Sequence, residues 1–152
     1  MCFGVYIKGL IGMAVFKKIS HRGNLIGPSD YENNPNQIAA VLKMGYDCEI
    51  DFWFVNNKYY LGHDKPSFEI KRSFLKQKGL WIHCKNLEAL EKVPQSSNYF
   101  WHQNDDFTLT SKRYIWTFPK KNTGKKSVIV DNNSNWKEKK YDCFAVCTDY
   151  IL

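Results

Sequence analysis

Several short apolar runs in this chain end in ionisable side chains, and no other feature constrains the fold as much. The three clearest cases are Ile19-Ser20-His21-Arg22-Gly23, Cys48-Glu49-Ile50-Asp51 and Leu61-Gly62-His63-Asp64. Runs rich in Ile, Val, Phe, Tyr and Trp are typical of β-strands. Core packing does not explain charged groups at the ends of successive strands, whereas a site at one rim of a sheet or barrel does. The pattern therefore predicts a functional site to which several strands contribute.

Four motifs, taken in chain order, resemble those of the glycerophosphodiester phosphodiesterases, in the superfamily of phosphatidylinositol-phospholipase-C-like phosphodiesterases. The family shows His-Arg-Gly, Glu-Asn, Glu-x-Asp and His-Asp, which here read His21-Arg22-Gly23, Glu32-Asn33, Glu49-Ile50-Asp51 and His63-Asp64. Two weaker similarities are an apolar strand at 80–85, where the family has Glu-x-Lys, and a closing strand that ends Thr148-Asp149. The chain thus resembles a short, divergent member of that family.

The resemblance and the strand count together predict a barrel. Eight candidate strands can be counted, at 15–20, 47–52, 59–62, 80–85, 98–102, 113–118, 127–131 and 144–148. Typical (β/α)8 barrels have about 250 residues and the smallest about 200, whereas this chain has 152. We therefore expect an α/β fold, a closed but stripped-down (β/α)8 TIM-type barrel with several outer helices short or missing. An incomplete barrel is the alternative.

Helix signals are clear only in the first part of the chain. Asn34 and Pro35 offer a cap and a first-turn proline, and Gly45 supplies a stop. A second helix is predicted over 67–78, and a short third one over 87–93, which Pro94 ends.

Length and composition indicate one domain, residues 1–152, in which residues 1–14 form an N-terminal extension. The hydrophobic content of 43% is ample for a packed core, and the net charge of +7 suggests an anionic partner. The alternative is that the lysines of the last third are a solvated surface. They lie in loop-like sequence, and no nucleic-acid-binding motif is present, so nucleic acid is not an expected partner.

The five cysteines are an odd set without a Cys-x-x-Cys pair. Free thiols in a reducing compartment fit them better than a disulfide framework, so we expect a cytoplasmic location. The apolar patch near the N-terminus is too short to span a membrane, and no transmembrane segment is expected.

A metal site is predicted at the second motif. Alternate residues of a strand share a face, so Glu49 and Asp51 point the same way. Two carboxylates this close suit a hard cation such as Mg²⁺ or Ca²⁺, and the resemblance implies that both are metal ligands. His83 stands where the family usually has a third acidic ligand. An imidazole there shifts the preference toward Mn²⁺ or Zn²⁺. We expect one divalent cation.

The histidines carry the predicted proton transfers. Histidine titrates near neutral pH, and the resemblance implies that His21 and His63 act as general acid and base on a P–O bond. Arg22 and Lys85 are expected to bind phosphate oxygens. Glu32 is expected to support the residues of the first strand.

Two further polar residues follow later strands. His102 is expected either to contact substrate or to cap a loop, and Asp149 to bind backbone or a substrate hydroxyl.

The function expected from these residues is metal-dependent hydrolysis of a phosphodiester, either a glycerophosphodiester or a related alkyl or sugar diester. Its substrate would be a small or lipid-derived molecule. The alternative is a non-catalytic relative that binds a phosphorylated lipid head group or sugar. The sequence leaves open the two alcohols of the diester and the oligomeric state.

Overall fold

The computed structural model describes residues 17–152; the expected extension, residues 1–14, lies outside them. Ten strands form one sheet. They are β1 (Lys17–His21), β2 (Asp47–Val55), β3 (Lys58–Leu61), β4 (Phe68–Ile70), β5 (Leu80–Cys84), β6 (Asn98–Phe100), β7 (Phe107–Leu109), β8 (Ile115–Thr117), β9 (Ser127–Val130) and β10 (Ala145–Thr148). The two α-helices of this part are α1 (Pro35–Lys43) and α2 (Leu87–Lys92), and 3-10 turns cover Arg72–Lys76 and Trp136–Glu138.

Seven of the strands are parallel and lie in the order β6-β5-β2-β1-β10-β9-β8. An antiparallel hairpin, β3 and β4, continues from the far end of β2. Strand β7 pairs antiparallel with β8. Strand β1 lies at the middle of these seven parallel strands. The sheet curls, so the fold is a mixed-sheet half-barrel.

The prediction of a closed (β/α)8 TIM-type barrel is wrong. It counted residues 59–62 as a parallel barrel strand, but β2 continues to Val55 and a two-residue turn returns the chain as an antiparallel partner. Asn56 and Asn57 both have positive φ, at 50° and 58°, which is the geometry of a tight hairpin turn. Among the described residues, β6 and β8 do not pair with each other, so the sheet stays open there. In residues 17–152, only two short α-helices flank it.

The first helix forms as its capping residues predict. The Asn34 side chain accepts a hydrogen bond from the Asn36 amide, and Pro35 occupies the first turn. The helix predicted over 67–78 is wrong, because Phe68 pairs with Leu61 across a third hairpin strand and only the 3-10 turn follows. The third prediction matches α2, which the Asn86 side chain caps. No helix in residues 17–152 is long and apolar enough to cross a membrane.

Three apolar clusters flank the curled sheet, two on its outer face and one on its inner face. On the outer face, Cys48, Ile50 and Phe52 of β2 pack with Ile38 and Val41 of α1. The inner face carries a second cluster at alternate positions. Its buried members are Ile19, Trp81, Phe100, Trp116, Val128, Ala145 and Cys147. Large aromatic side chains fill this inner space, so it is a packed core and not a channel.

The outer face of β9 and β10 is covered without a helix. Trp136, in the second 3-10 turn, is 4% exposed and packs on Ile129 and Val146. Its indole N–H donates to the Tyr150 carbonyl at 2.7 Å. One bulky side chain on a short turn thus occupies the place where a complete barrel has a helix.

Candidate active site

The candidate site lies at the carboxyl ends of the parallel strands, one step beyond the inner core. Alternate residues of a strand share a face, so His21 follows Ile19, His83 follows Trp81 and Asp149 follows Cys147. A cavity of about 220 Å³ opens at this end of the sheet. Six of the predicted site residues line it: His21, Arg22, Glu49, His63, His83 and His102. Parallel strand direction brings them together from distant parts of the chain.

His21 is oriented by Asp149, which ends the neighbouring strand. The two side chains meet at 2.8 Å, Nδ1 to Oδ1, so the ring N–H at Nδ1 donates to the carboxylate. Burial alone would lower the pKa of His21, but the Asp149 hydrogen bond and the charge of Glu49 outweigh it. The net pKa lies above the ordinary value of 6.5. In its neutral form the ring keeps an unprotonated Nε2, which lies 3.9 Å from Glu49.

Glu49 is a buried acid with an unsatisfied oxygen. Its side chain is 3% exposed, and Oε2 has no hydrogen-bond partner. Burial and the nearby charge of Asp51 raise the pKa of Glu49 above its ordinary value. A buried carboxylate oxygen without a donor is costly. A cation from solution would remove that cost.

Asp51 lies in the opposite surroundings. Oδ1 contacts His83 Nδ1 at 3.1 Å and Lys85 Nζ at 3.3 Å. Oδ2 accepts from Asn33 Nδ2 at 2.9 Å, and Arg22 Nε lies 3.2 Å away without hydrogen-bond alignment. Burial alone would raise the pKa of Asp51, but the His83 hydrogen bond and the Arg22 and Lys85 charges hold it well below the ordinary range.

Glu49, Asp51 and His83 form a group that could hold a metal ion, because one ligand atom from each lies within 4.8 Å of the others. Glu49 Oε2 is the uncommitted ligand of this group. His83 already contacts Asp51 through Nδ1 and the His102 carbonyl through Nε2, at 3.2 Å. Coordination of a cation by His83 would therefore replace one of these two contacts.

A hydrogen-bonded network holds Arg22 at the cavity. Glu32 Oε2 lies 3.2 Å from Arg22 Nη1, and Glu32 Oε1 accepts from Asn24 Nδ2 at 2.8 Å. The same Asn24 amide also donates to Asp149 at 2.8 Å. Glu32 and Asn24 thus link the arginine to the Asp149–His21 pair.

The remaining predicted residues differ in how closely they approach the cavity. His63 is 40% exposed and lies 2.8 Å from Asp64; it reaches the cavity from the antiparallel hairpin and not from a parallel strand. Lys85 faces Asp51 instead of lining the cavity. His102 stacks on His83 with 4.9 Å between ring centroids, and burial together with His83 lowers its pKa.

Three asparagines of the site were not predicted from the sequence. Asn33 is fully buried and forms two hydrogen bonds with Asp51. Its Nδ2 donates to Asp51 Oδ2, and its Oδ1 accepts from the backbone N–H of Asp51. Asn24 joins Glu32 and Asp149, and Asn132 lies on the cavity at 3.4 Å from His21. Asn24 and Asn132 each follow a strand end closely, which is the signal that could have identified them. Asn33 belongs to the Glu32-Asn33 motif, but no role was predicted for it.

No family model, curated protein or solved structure matches the chain. Membership of the glycerophosphodiester phosphodiesterase family therefore stays a prediction from the four motifs.

Proposed function

We propose that this protein hydrolyses a phosphodiester with the help of one divalent cation. The observation that carries the proposal is the unsatisfied Glu49 Oε2, buried at a cavity that His21, Arg22 and His63 also line. A bound cation stabilises a buried carboxylate that lacks a donor. The histidines and the arginine beside it are the groups that phosphate chemistry uses.

Glu49, Asp51 and His83 would hold the cation. Two carboxylates and one imidazole suit Mn²⁺ or Zn²⁺, whereas the resemblance implies Mg²⁺ or Ca²⁺. When bound, such an ion polarises phosphate oxygens and neutralises their charge. Arg22 adds a guanidinium at the same cavity, and Lys85 compensates the charge of Asp51.

The two histidines have different surroundings, which suit different roles. His21 Nε2 accepts the proton of the attacking hydroxyl, either of water or of a neighbouring hydroxyl of the substrate, because Asp149 holds the ring with Nδ1 protonated. The attacking oxygen forms a bond to phosphorus as the bond to the leaving oxygen breaks. His63, at the exposed mouth, donates a proton to the leaving alcohol.

Turnover of synthetic phosphodiesters, with Mn²⁺, Zn²⁺, Mg²⁺ and Ca²⁺ in turn, tests the proposal. His21→Ala and His63→Ala should each lower turnover by about 100-fold or more, the usual scale for loss of a general acid or base. Glu69→Gln, which changes an exposed acid paired with Lys58, is the matched control and should leave turnover unchanged. Wild-type turnover in either histidine variant contradicts the mechanism.

A second candidate function is phosphate binding without turnover, for example of a phosphorylated head group or sugar. The favouring observation is that both oxygens of Asp51 already have protein partners. In this case the wild-type protein binds phosphate monoesters but releases no alcohol from any diester.

The substrate we propose is a small or lipid-derived molecule in the cytoplasm. Cys48, Cys84, Cys143 and Cys147 are free thiols, which supports a reducing compartment.

A further inference from the structure

The open side of the half-barrel is closed by rings instead of backbone hydrogen bonds. Strands β6 and β8 do not pair, but Phe100 of β6 and Trp116 of β8 lie with ring centroids 4.5 Å apart and planes at 25°. Such offset stacking is a favourable aromatic geometry. The gap in the sheet is therefore also an aromatic wall.

Ring contacts continue from Phe100 in the core to the histidines at the cavity. His83 lies on Phe100 with centroids 5.2 Å apart and planes at 4°. His102 lies on His83 at 4.9 Å and 23°. The ring centroids of Phe100 and His102 are also only 6.4 Å apart, so Trp116, Phe100, His83 and His102 form one contiguous ring cluster, in which Trp116, His83 and His102 line the cavity.

Phe118 and His102 form a corner at the cavity side of this ring cluster. The Phe118 ring meets His102 edge-on, at 6.4 Å and 63°. Phe118 lines the cavity and is 46% exposed, so the protein covers only about half of this large apolar residue. A flat ring that enters the corner can stack on one side chain and meet the other edge-to-face, and both arrangements are favourable.

We infer that His102 and Phe118 bind a flat aromatic or heterocyclic ring carried by one alcohol of the phosphodiester. This inference rests on the proposed function and narrows its substrate class. The cavity has room for such a group, because about 150 Å³ is enough for benzene and this cavity has about 220 Å³. The remaining volume adjoins His21, Arg22 and Glu49, where the phosphate is proposed to bind.

Calorimetric titration with three phosphate monoesters tests the inference in the presence of Mn²⁺. Phenyl phosphate carries a flat ring, cyclohexyl phosphate a ring of similar size that is not flat, and glycerol phosphate no ring. We expect phenyl phosphate to bind about tenfold more tightly than the other two, the scale of one aromatic stacking contact. Phe118→Ala and Phe118→Leu should both remove that preference and leave glycerol phosphate binding unchanged.

Phe107→Ala is the matched control. Phe107 is 49% exposed, similar to the 46% of Phe118, but it lies on β7 and does not line the cavity. It should keep the full preference for phenyl phosphate.

The possible failures differ from one another. Equal affinity for phenyl and cyclohexyl phosphate overturns the ring site and leaves the phosphate site standing. A Phe118→Ala variant that keeps the preference, or loses affinity equally for phenyl and glycerol phosphate, also overturns it. Absence of binding by all three probes overturns the ring site and the proposed function together.

Discussion

Glu49 and Asp51 are separated by one residue and point to the same side of β2, yet their surroundings push their pKa values apart. Burial and Asp51 raise the pKa of Glu49, whereas His83, Arg22 and Lys85 lower that of Asp51. The alternation of a strand predicted that both acids share one face. It did not predict which would be satisfied, because the partners of Asp51 come from the β1–α1 loop and from β5, and their positions depend on the fold.

Replacement of the unsatisfied acid should stabilise the metal-free protein. Glu49→Gln removes a buried charge and keeps the shape, so we expect the free energy of unfolding at neutral pH to rise by about 1–3 kcal/mol. In the wild type the raised pKa makes stability fall as pH rises above the ordinary value of 4.5, and this fall should vanish in the variant. Urea unfolding between pH 4 and 8 measures both.

The same variant should lose the increase in Tm that Mn²⁺ gives the wild type. Glu69→Gln should retain it. A Glu49→Gln protein that Mn²⁺ still stabilises would show that the cation binds elsewhere.

The basicity of His21 should depend on Asp149. Asp149→Asn removes a negative hydrogen-bond acceptor, so the pKa of His21 should fall, and the acidic limb of the pH–rate profile should move to lower pH. The stability that His21 contributes is present below pH 6.5 and is lost as pH rises through its raised pKa. The variant should lack this pH-dependent contribution to stability. NMR titration of the ring gives the pKa. In Asp64→Asn, which alters the partner of His63 instead, the His21 titration should be unchanged.

His83 is the residue that departs from the family motif, and its replacement should change the metal preference. His83→Glu creates an all-oxygen ligand set, so we expect affinity to move from Mn²⁺ or Zn²⁺ toward Mg²⁺ or Ca²⁺. Calorimetric titration of both proteins with the four ions decides this. An unaltered order of affinities would place His83 outside the ligand set.

Among the secondary-structure elements, the β2–β3 hairpin accounts for the largest difference between the predicted and the observed fold. Each of the eight predicted strands overlaps an observed one, because short β-branched and aromatic runs identify strands well. Their direction was not predictable in the same way. The tight Asn56-Asn57 turn reverses the chain, so His63 reaches the cavity from an antiparallel strand. Strand β4 was missed because it lies inside the stretch predicted as a helix over 67–78, and no strand was predicted at β7.

The hairpin depends on Gly62, which precedes His63. Gly62 has φ +152°, and a Cβ there would lie 2.1 Å from the Lys65 carbonyl oxygen. Gly62→Ala should therefore displace the loop that carries His63 and lower turnover, while Mn²⁺ binding is retained. Gly45→Ala is the control, because Gly45 also has positive φ but no atom within 4 Å of the added Cβ. Equal turnover in the two variants would contradict the dependence on Gly62.

At the scale of the whole molecule, the 3-10 turn that carries Trp136 covers the outer face of β9 and β10, where a complete barrel has a helix. The chain length indicated that outer helices would be lost, but not that one tryptophan would replace a helix, since no periodic pattern precedes Trp136. Trp136→Ala should lower the free energy of unfolding by about 3–5 kcal/mol, as for other buried aromatic residues. Trp136→Phe should cost less, because it loses the N–H but keeps a ring. A loss below about 1 kcal/mol for the alanine variant, measured in urea, would contradict this packing role.

The middle position of β1 has a consequence for how the protein is made. Strand β1 pairs with β2 on one side and β10 on the other, and His21 and Asp149 are 128 residues apart. On the ribosome, β1 and β2 can meet early, but one edge of β1 remains unpaired until β10 has emerged. Contacts this far apart in sequence form slowly. The nascent chain therefore carries His21 without its partner carboxylate until Asp149, 128 residues later, has emerged, and the proposed activity requires β10 to be in place.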